Sequence, residues 1–326
     1  ACGGRPAAAK LSEAGPSPGS AAAGGKAQAL ALGPRRPPST PQTRLPQAPQ
    51  RPVKHVAADT ASLPAEEYIA GTEDDLAKVD KLMRLVEPGQ HLAGLSEFAK
   101  AYCTKAFCMR LLRKYDGDLS RSCASLKSAL SWRERNEWLL TSLIFEEASD
   151  LRVIGFDAAG RPILYHCARN QMLSNTRGLD QYVVRMVQAI DMMPPGVSKM
   201  MHIWDMHGLR IALNLNPNAV LQLLKVLEGY FAERMHELLI LDMPWAARFL
   251  VDAIWPVVPE RTQRKVFFLS AKDALQHVKG SCHNPVAEQI GALIELNRDP
   301  QRSLEERRRS WKQVDAAEIP VQLTGA

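Results

Sequence analysis

Residues 151–165 read LRVIGFDAAGRPILY and mark the point where the sequence changes from a helical to a strand pattern. Apolar residues lie on both sides of the turn sequence Asp-Ala-Ala-Gly at 157–160. Two short apolar runs joined by a turn that contains glycine are typical of a β-hairpin, because glycine adopts the left-handed backbone such a turn requires. We therefore predict that a sheet begins at residue 151.

The segment before the hairpin has the spacing of helices. In the first predicted helix Leu76, Val79 and Met83 recur every three or four residues, and Pro88 ends the pattern. Similar runs follow up to residue 145, and no strand pattern interrupts them. We therefore predict an all-helical N-terminal region over 65–145.

Helix and strand patterns alternate after the hairpin. Strands separated by single helices imply a mostly parallel sheet that is covered by helices. The predicted lobe spans 148–283 and is of the α/β class, and the charged segment 284–326 is predicted to be a peripheral helical extension. The predicted strands are 200–206, 237–241 and 266–269, and the predicted helices are 179–193, one that begins at 217, 245–254 and 271–278.

The helix predicted at 245–254 has an unusual pattern, since apolar side chains lie around its whole circumference and only Arg248 and Asp252 interrupt them. Such a helix is either buried on all sides or faces something apolar outside the protein. General burial frequencies favour a core helix. The pattern alone leaves both interpretations open.

The positive charge of the chain is concentrated near its beginning. The net charge is +6, yet residues 1–58 carry eight basic residues and one acidic residue, and the remainder carries 33 basic and 34 acidic residues. A basic surface for nucleic acid is therefore not expected on the folded part. Residues 1–60 are rich in proline, alanine and glycine, which predicts a disordered low-complexity leader, or alternatively a transit peptide for a plastid or mitochondrion.

The remaining composition indicates a protein without a membrane span or a metal site. The longest uncharged stretch, 211–224, is 14 residues and contains a proline, so membrane contact should be peripheral. The six cysteines form no metal-binding spacing and suggest reduced thiols in a cytoplasmic compartment. We expect no metal and no cofactor.

Three segments resemble the CRAL-TRIO lipid-binding family, which includes phosphatidylinositol-transfer proteins and tocopherol- and retinaldehyde-binding proteins. Their order and spacing along the chain are similar to the family pattern. They are 109–116 (MRLLRKYD) with 130–133 (LSWR), the hairpin 156–165, and a third group of short motifs at 230–235 (YFAERM), 242–245 (DMPW), 255–259 (WPVVP) and 262–268 (TQRKVFF).

The resemblance implies a helical region followed by a sheet that encloses an apolar lipid pocket closed by a gate helix. The gate would be the helix 245–254, which explains its apolar circumference. The gate and pocket residues implied are Trp245, Phe249, Leu250, Ile254 and Trp255.

The resemblance also implies a set of residues for a phosphatidylinositol head group. Cations would bind the phosphate, and carboxylates would accept hydrogen bonds from inositol hydroxyls. Each residue also has a purely structural alternative as a surface charge, a turn residue or an ion-pair partner. The set is Arg113, Lys114, Asp157, Glu233, Thr262 and Lys265.

The sequence departs from the family pattern at Met200 and His202, where members that handle phosphatidylcholine carry hydroxyls. A second phospholipid ligand is therefore not implied, and we interpret His202 as a core histidine.

Taken together, the sequence predicts a monomeric, peripheral lipid-binding and transfer protein with phosphatidylinositol as its ligand. The alternatives are a carrier of a tocopherol, retinoid or sterol, and a lipid-sensing interaction module. An enzyme is not expected, since the common catalytic motifs are absent and the neighbours His166 and Cys167 would point to opposite faces of a strand.

Overall fold

The computed structural model describes residues 71–86, 94–214 and 216–312. The predicted leader 1–60 therefore lies outside the described residues. None of the helices in the described segments is long and apolar enough to span a bilayer.

The N-terminal region is helical, as predicted. Its core contains Leu82, Phe107 and Leu126, each completely buried. Thr104 and Asp118 begin two of the helices, because their side chains accept hydrogen bonds from the otherwise unpaired amides of the first turn. The helices are α1 (Glu73–Val86), α2 (Glu97–Ala101), α3 (Lys105–Lys114), α4 (Leu119–Arg135) and α5 (Glu137–Ser142).

Five strands form one sheet in the order β1-β2-β3-β4-β5. The first two are the antiparallel hairpin predicted from the sequence, and the other neighbours are parallel. Gly160 has a φ of 75°, which is the left-handed conformation expected at the turn. The strands are β1 (Leu151–Phe156), β2 (Pro162–Cys167), β3 (Met200–Asp205), β4 (Met235–Leu241) and β5 (Val266–Leu269).

Helices connect the strands, and others follow the sheet. The predicted α/β class is therefore confirmed, with strand and helix bounds that differ from the prediction by a few residues. The helices are α6 (Asn175–Asp191), α7 (Ile211–Asn214), α8 (Pro217–Tyr230), α9 (Trp245–Ile254), α10 (Glu260–Gln263), α11 (Ala271–Ser281), α12 (Asn284–Arg298) and α13 (Leu304–Lys312), with short 3₁₀ turns at Ala168–Asn170 and Trp255–Val257.

One face of the sheet packs against α11 and α12. Ile203 and Leu239 on the strands and Ile290 and Ile294 on α12 are buried in the same cluster. The sequence suggested a peripheral segment after residue 283, and for α12 this is wrong. Glu288 and Glu295 are exposed, while the apolar stripe of the helix completes the core.

Arg298, at the end of α12, ties this helix to the sheet. Its guanidinium donates to Asp205 at 2.8 and 3.0 Å and to Asp242 at 2.6 and 3.0 Å. Asp205 is fully buried and also accepts from the hydroxyl of Tyr165 at 2.9 Å. Asp242 lies between the end of β4 and the start of α9, so this network fixes the position of the chain where it leaves the sheet and enters α9.

Candidate functional site

A cavity of about 260 Å³ lies on the other face of the sheet. Apolar side chains from α6, α8 and α9 form most of its wall, together with strand residues that alternate with those of the core. The alternation follows from the two-residue period of a strand, which sends successive side chains to opposite faces. Thus His166 lines the cavity while its neighbour Cys167 lies in the core cluster.

Helix α9 lines the cavity with one side and is exposed on the other. Leu250 and Ile254 line the cavity, whereas Trp245 is 86% exposed and Phe249 is 78% exposed. The core-helix interpretation is therefore wrong, because two large apolar side chains one turn apart face water. Trp255 follows the helix, lines the cavity and packs against Phe268 with 5.6 Å between ring centroids.

One end of the cavity carries charged and polar side chains, which we call the charged end: Glu228, Glu233, Arg261, Thr262 and Lys265. Glu233 is its centre, since its two oxygens lie 3.1 Å from Arg261 Nη1 and 3.5 Å from Lys265 Nζ. Lys265 Nζ also donates to the carbonyl of Met235 at 3.2 Å.

Glu228, on the last turn of α8, connects the charged end to the helical region. It accepts a hydrogen bond from Thr262 Oγ1 at 2.9 Å and lies 3.4 Å from Lys114 Nζ. Lys114 is held further by the carbonyl of Glu228 and packs over the ring of Tyr115. Arg113 is exposed, and its carbonyl accepts from Arg261 at 3.4 Å.

The structure thus places the six predicted head-group residues in three positions. Glu233, Thr262 and Lys265 line the cavity, and Arg113 and Lys114 lie beside it. Asp157 is not among the lining residues. It is buried in the hairpin turn, where its carboxylate accepts from the amides of Ala159 and Arg161, each at 2.9 Å, and from Arg161 Nε at 2.6 Å.

The sequence reasoning missed Glu228 and Arg261. Glu228 follows the apolar run of α8, and a charged residue at the end of an apolar run was the available signal. Arg261 lies four residues before Lys265, but nothing in this spacing identifies Glu233 as their common partner.

The opposite corner of the cavity wall holds a second polar group, the His166 corner, which consists of Asp150, His166 and Gln171. His166 Nε2 lies 3.0 Å from the carboxylate of Asp150. Burial raises the pKa of Asp150 and opposes protonation of His166, but the neighbouring carboxylate outweighs burial at the imidazole and raises the pKa of His166.

His202 also lines the cavity and is buried. Its Nδ1 lies 2.7 Å from the hydroxyl of Tyr182, which in turn accepts from Trp204 Nε1 at 3.3 Å. Burial lowers the pKa of His202 to about 4, so the imidazole is neutral at physiological pH. This geometry fits a hydrogen-bonded core histidine.

The comparisons with known proteins agree with this architecture. Residues 151–284 match the family model of the CRAL/TRIO domain. A CRAL-TRIO domain-containing protein of Schizosaccharomyces pombe is 26% identical over 179 residues, which are 53% of this chain and 18% of the relative. The phosphatidylinositol transfer protein PDR17 of Saccharomyces cerevisiae is 23% identical over 215 residues, or 60% of this chain and 61% of the relative.

Thus the chain spans less than two thirds of the length of either relative. Among solved structures, the crystal structure of Sfh5 superposes with a TM-score of 0.45 and 15% identity, and covers 61% of this chain and 81% of that chain. The resemblance inferred from the sequence is confirmed: residues 151–284 of the chain carry a CRAL/TRIO domain.

Proposed function

We propose that this protein binds one phosphatidylinositol molecule in the cavity and exchanges it between membranes through movement of α9. The observation that carries the proposal is an apolar cavity with a cluster of cations and carboxylates at one end. A phospholipid has the same division, since its acyl chains are apolar and its head group is charged. The name of the budding yeast relative also points to this ligand.

The cavity addresses the main cost of moving a lipid through water. Exposing each methylene of an acyl chain costs ~0.8 kcal/mol, so a two-chain lipid leaves a membrane very slowly. An apolar cavity offers the chains a similar environment and removes most of this cost. Arg261 and Lys265 supply charge-assisted donors for the phosphate, and Glu233 supplies an acceptor for inositol hydroxyls.

Arg113 and Lys114 complete the proposed head-group site from its margin, and Thr262 lies within it. Lys114 already lies against Glu228, and Thr262 donates to the same carboxylate, so both orient the charged end. Asp157 has a different proposed role. Its oxygens accept hydrogen bonds within the turn, and we assign it to shaping the hairpin beside the cavity.

Helix α9 is the proposed gate. One side lines the cavity, and the other presents Trp245 and Phe249 to solvent. Aromatic side chains partition favourably into the interfacial region of a bilayer. The protein would dock with this face, and α9 would open the cavity only where a membrane replaces water. This makes the protein peripheral at membranes and requires no chemical step.

The experiment that tests the ligand is native mass spectrometry of the full chain after incubation with vesicles of phosphatidylcholine and phosphatidylinositol. We expect a one-to-one complex with the mass of phosphatidylinositol. A complex with phosphatidylcholine alone, or no lipid complex, would contradict the proposal. Parallel incubations with tocopherol, retinaldehyde or cholesterol test the alternative of a neutral hydrophobic ligand. Binding without vesicle-to-vesicle transfer would favour a lipid sensor.

A further inference from the structure

The His166 corner lies far from the charged end along the same cavity. The strand pairing places His166 of β2 and Phe268 of β5 in the same row across the sheet. Lys265 precedes Phe268 by three residues. Three residues along a strand and three strand spacings across the sheet separate the two positions by roughly 17 Å. The phosphate site proposed at the charged end therefore does not explain the polar groups at this corner.

Main-chain pairing brings the corner together. The amide of Cys167 donates to the carbonyl of Asp150 at 3.0 Å, and the amide of Met172 donates to the carbonyl of Ala148 at 3.1 Å. These bonds place Gln171, His166 and Asp150 on adjoining segments of the chain, and all three line the cavity.

The corner contains buried polar atoms that lack a hydrogen-bond partner among the described residues. They are His166 Nδ1, Gln171 Oε1 and both carboxylate oxygens of Asp150, one of which keeps its ion-pair contact with His166 Nε2, and Gln171 is only 6% exposed. A buried polar atom without a partner is costly, which makes such atoms candidates for contact with a ligand. Because His166 Nε2 faces Asp150, its Nδ1 is the ring nitrogen left for another contact.

Gly178 of α6 makes room for the Gln171 amide. A Cβ atom at this position would lie 2.9 Å from Gln171 Nε2, closer than atoms normally approach. Gly178 also lines the cavity. Glycine in a helix is less favourable than alanine by about 1 kcal/mol, so Gly178 lowers the stability of α6. In return, the space beside Gly178 is occupied by the side-chain amide of Gln171.

We propose that the His166 corner binds a hydroxyl group on a hydrophobic ligand inside the cavity, with Gln171 Oε1 as acceptor and His166 Nδ1 as the second partner. When the imidazole is protonated, Nδ1–H donates to the ligand oxygen and the ligand hydroxyl donates to Gln171 Oε1, so a group that both donates and accepts satisfies the two atoms. A ligand carboxylate fits poorly, because it would add a second negative charge beside the buried Asp150.

This inference rests on the proposed function, since the cavity must hold a hydrophobic molecule. The test uses 1-decanol and its methyl ether, which have the same chain and oxygen but differ in the ability to donate. Equilibrium dialysis against the full chain, followed by gas chromatography, gives a dissociation constant for each. The quantity compared is the preference for the alcohol over the ether in each variant.

We expect Gln171→Met to reduce the preference roughly tenfold, the effect of losing one buried hydrogen bond. Gly178→Ala should reduce it in the same direction, because the new methyl group displaces the amide. The matched control is Leu179→Met, which alters the adjacent apolar wall and should leave the preference unchanged.

The outcomes separate the two proposals. Equal binding of alcohol and ether by all four proteins, or an unchanged preference in Gln171→Met and Gly178→Ala, overturns the hydroxyl site and leaves the lipid cavity standing. If neither probe binds, the hydroxyl site is overturned, and the mass spectrometry with phosphatidylinositol vesicles decides separately whether the cavity holds a phospholipid. A preference lost in both variants and kept in Leu179→Met supports the site.

Discussion

Replacing Phe249 by aspartate tests the proposed role of α9. The side chain is 78% exposed, so it contributes little to the folded core, and the substitution should leave the melting temperature nearly unchanged. In a membrane-docked state the same ring would be buried. Full burial of a phenylalanine side chain is worth about 2 kcal/mol, which corresponds to a loss of roughly 30-fold in membrane affinity.

The assay is transfer of labelled phosphatidylinositol between two populations of vesicles, at vesicle concentrations low enough for the rate to follow membrane affinity. We expect Phe249→Asp to slow transfer by roughly 30-fold. Trp138→Asp is the matched control, because Trp138 is 70% exposed but lies on α5, away from the cavity, and its transfer rate should not change. Unchanged transfer by Phe249→Asp, with the fold intact, would refute the docking of α9.

Three further predictions follow from the charged and titratable groups. Lys265→Ala should weaken phosphatidylinositol binding by roughly 30-fold, because one charge-assisted hydrogen bond contributes about 2 kcal/mol. The control Lys279→Ala, at an exposed lysine, should leave binding unchanged, and titration with vesicles measures the affinity of both variants. Arg298→Ala should lower the free energy of unfolding in urea by about 3 kcal/mol, because it removes the partner of a buried carboxylate; a loss below about 1 kcal/mol would contradict the role of this network. In the folded protein His202 has a lowered pKa of about 4, so as the pH falls the unfolded chain takes up a proton at this residue first. The free energy of unfolding should therefore fall between about pH 6.5 and pH 4, and His202→Gln should lose about 3 kcal/mol less than the unsubstituted protein over this range. Urea titrations at several pH values measure this difference, and parallel curves for the two proteins would disprove the assignment.

The sequence predicted the elements well where a local pattern determines them. The turn at 157–160 depends on one glycine and on one aspartate that accepts from the amides of its own turn, so its chemistry lies within five residues. Helix α9 was predicted with its observed bounds, because proline precedes it and a second proline follows shortly after its end.

The periodicity of α9 could not decide which side faces the protein. A helix with apolar residues all around gives no direction, and only the docked position of α9 over the cavity leaves Trp245 and Phe249 in solvent. The same limit affected α12. Its charged composition suggested a peripheral segment, whereas its apolar stripe meets the back of the sheet.

Of the candidate site, the sequence alone determined the family resemblance and the order of the elements, because these depend on patterns within single segments. It also named six of the residues that line the cavity, Glu233, Leu250, Ile254, Trp255, Thr262 and Lys265. Tertiary structure decided which polar groups meet. Glu228 reaches Thr262 across 34 positions, and Asp150 meets His166 across a strand pair. Such contacts depend on strand register and helix docking, which a linear pattern does not encode. For the same reason, only the fold shows that the Asp157 carboxylate is held within the hairpin turn and that Arg261 lines the cavity.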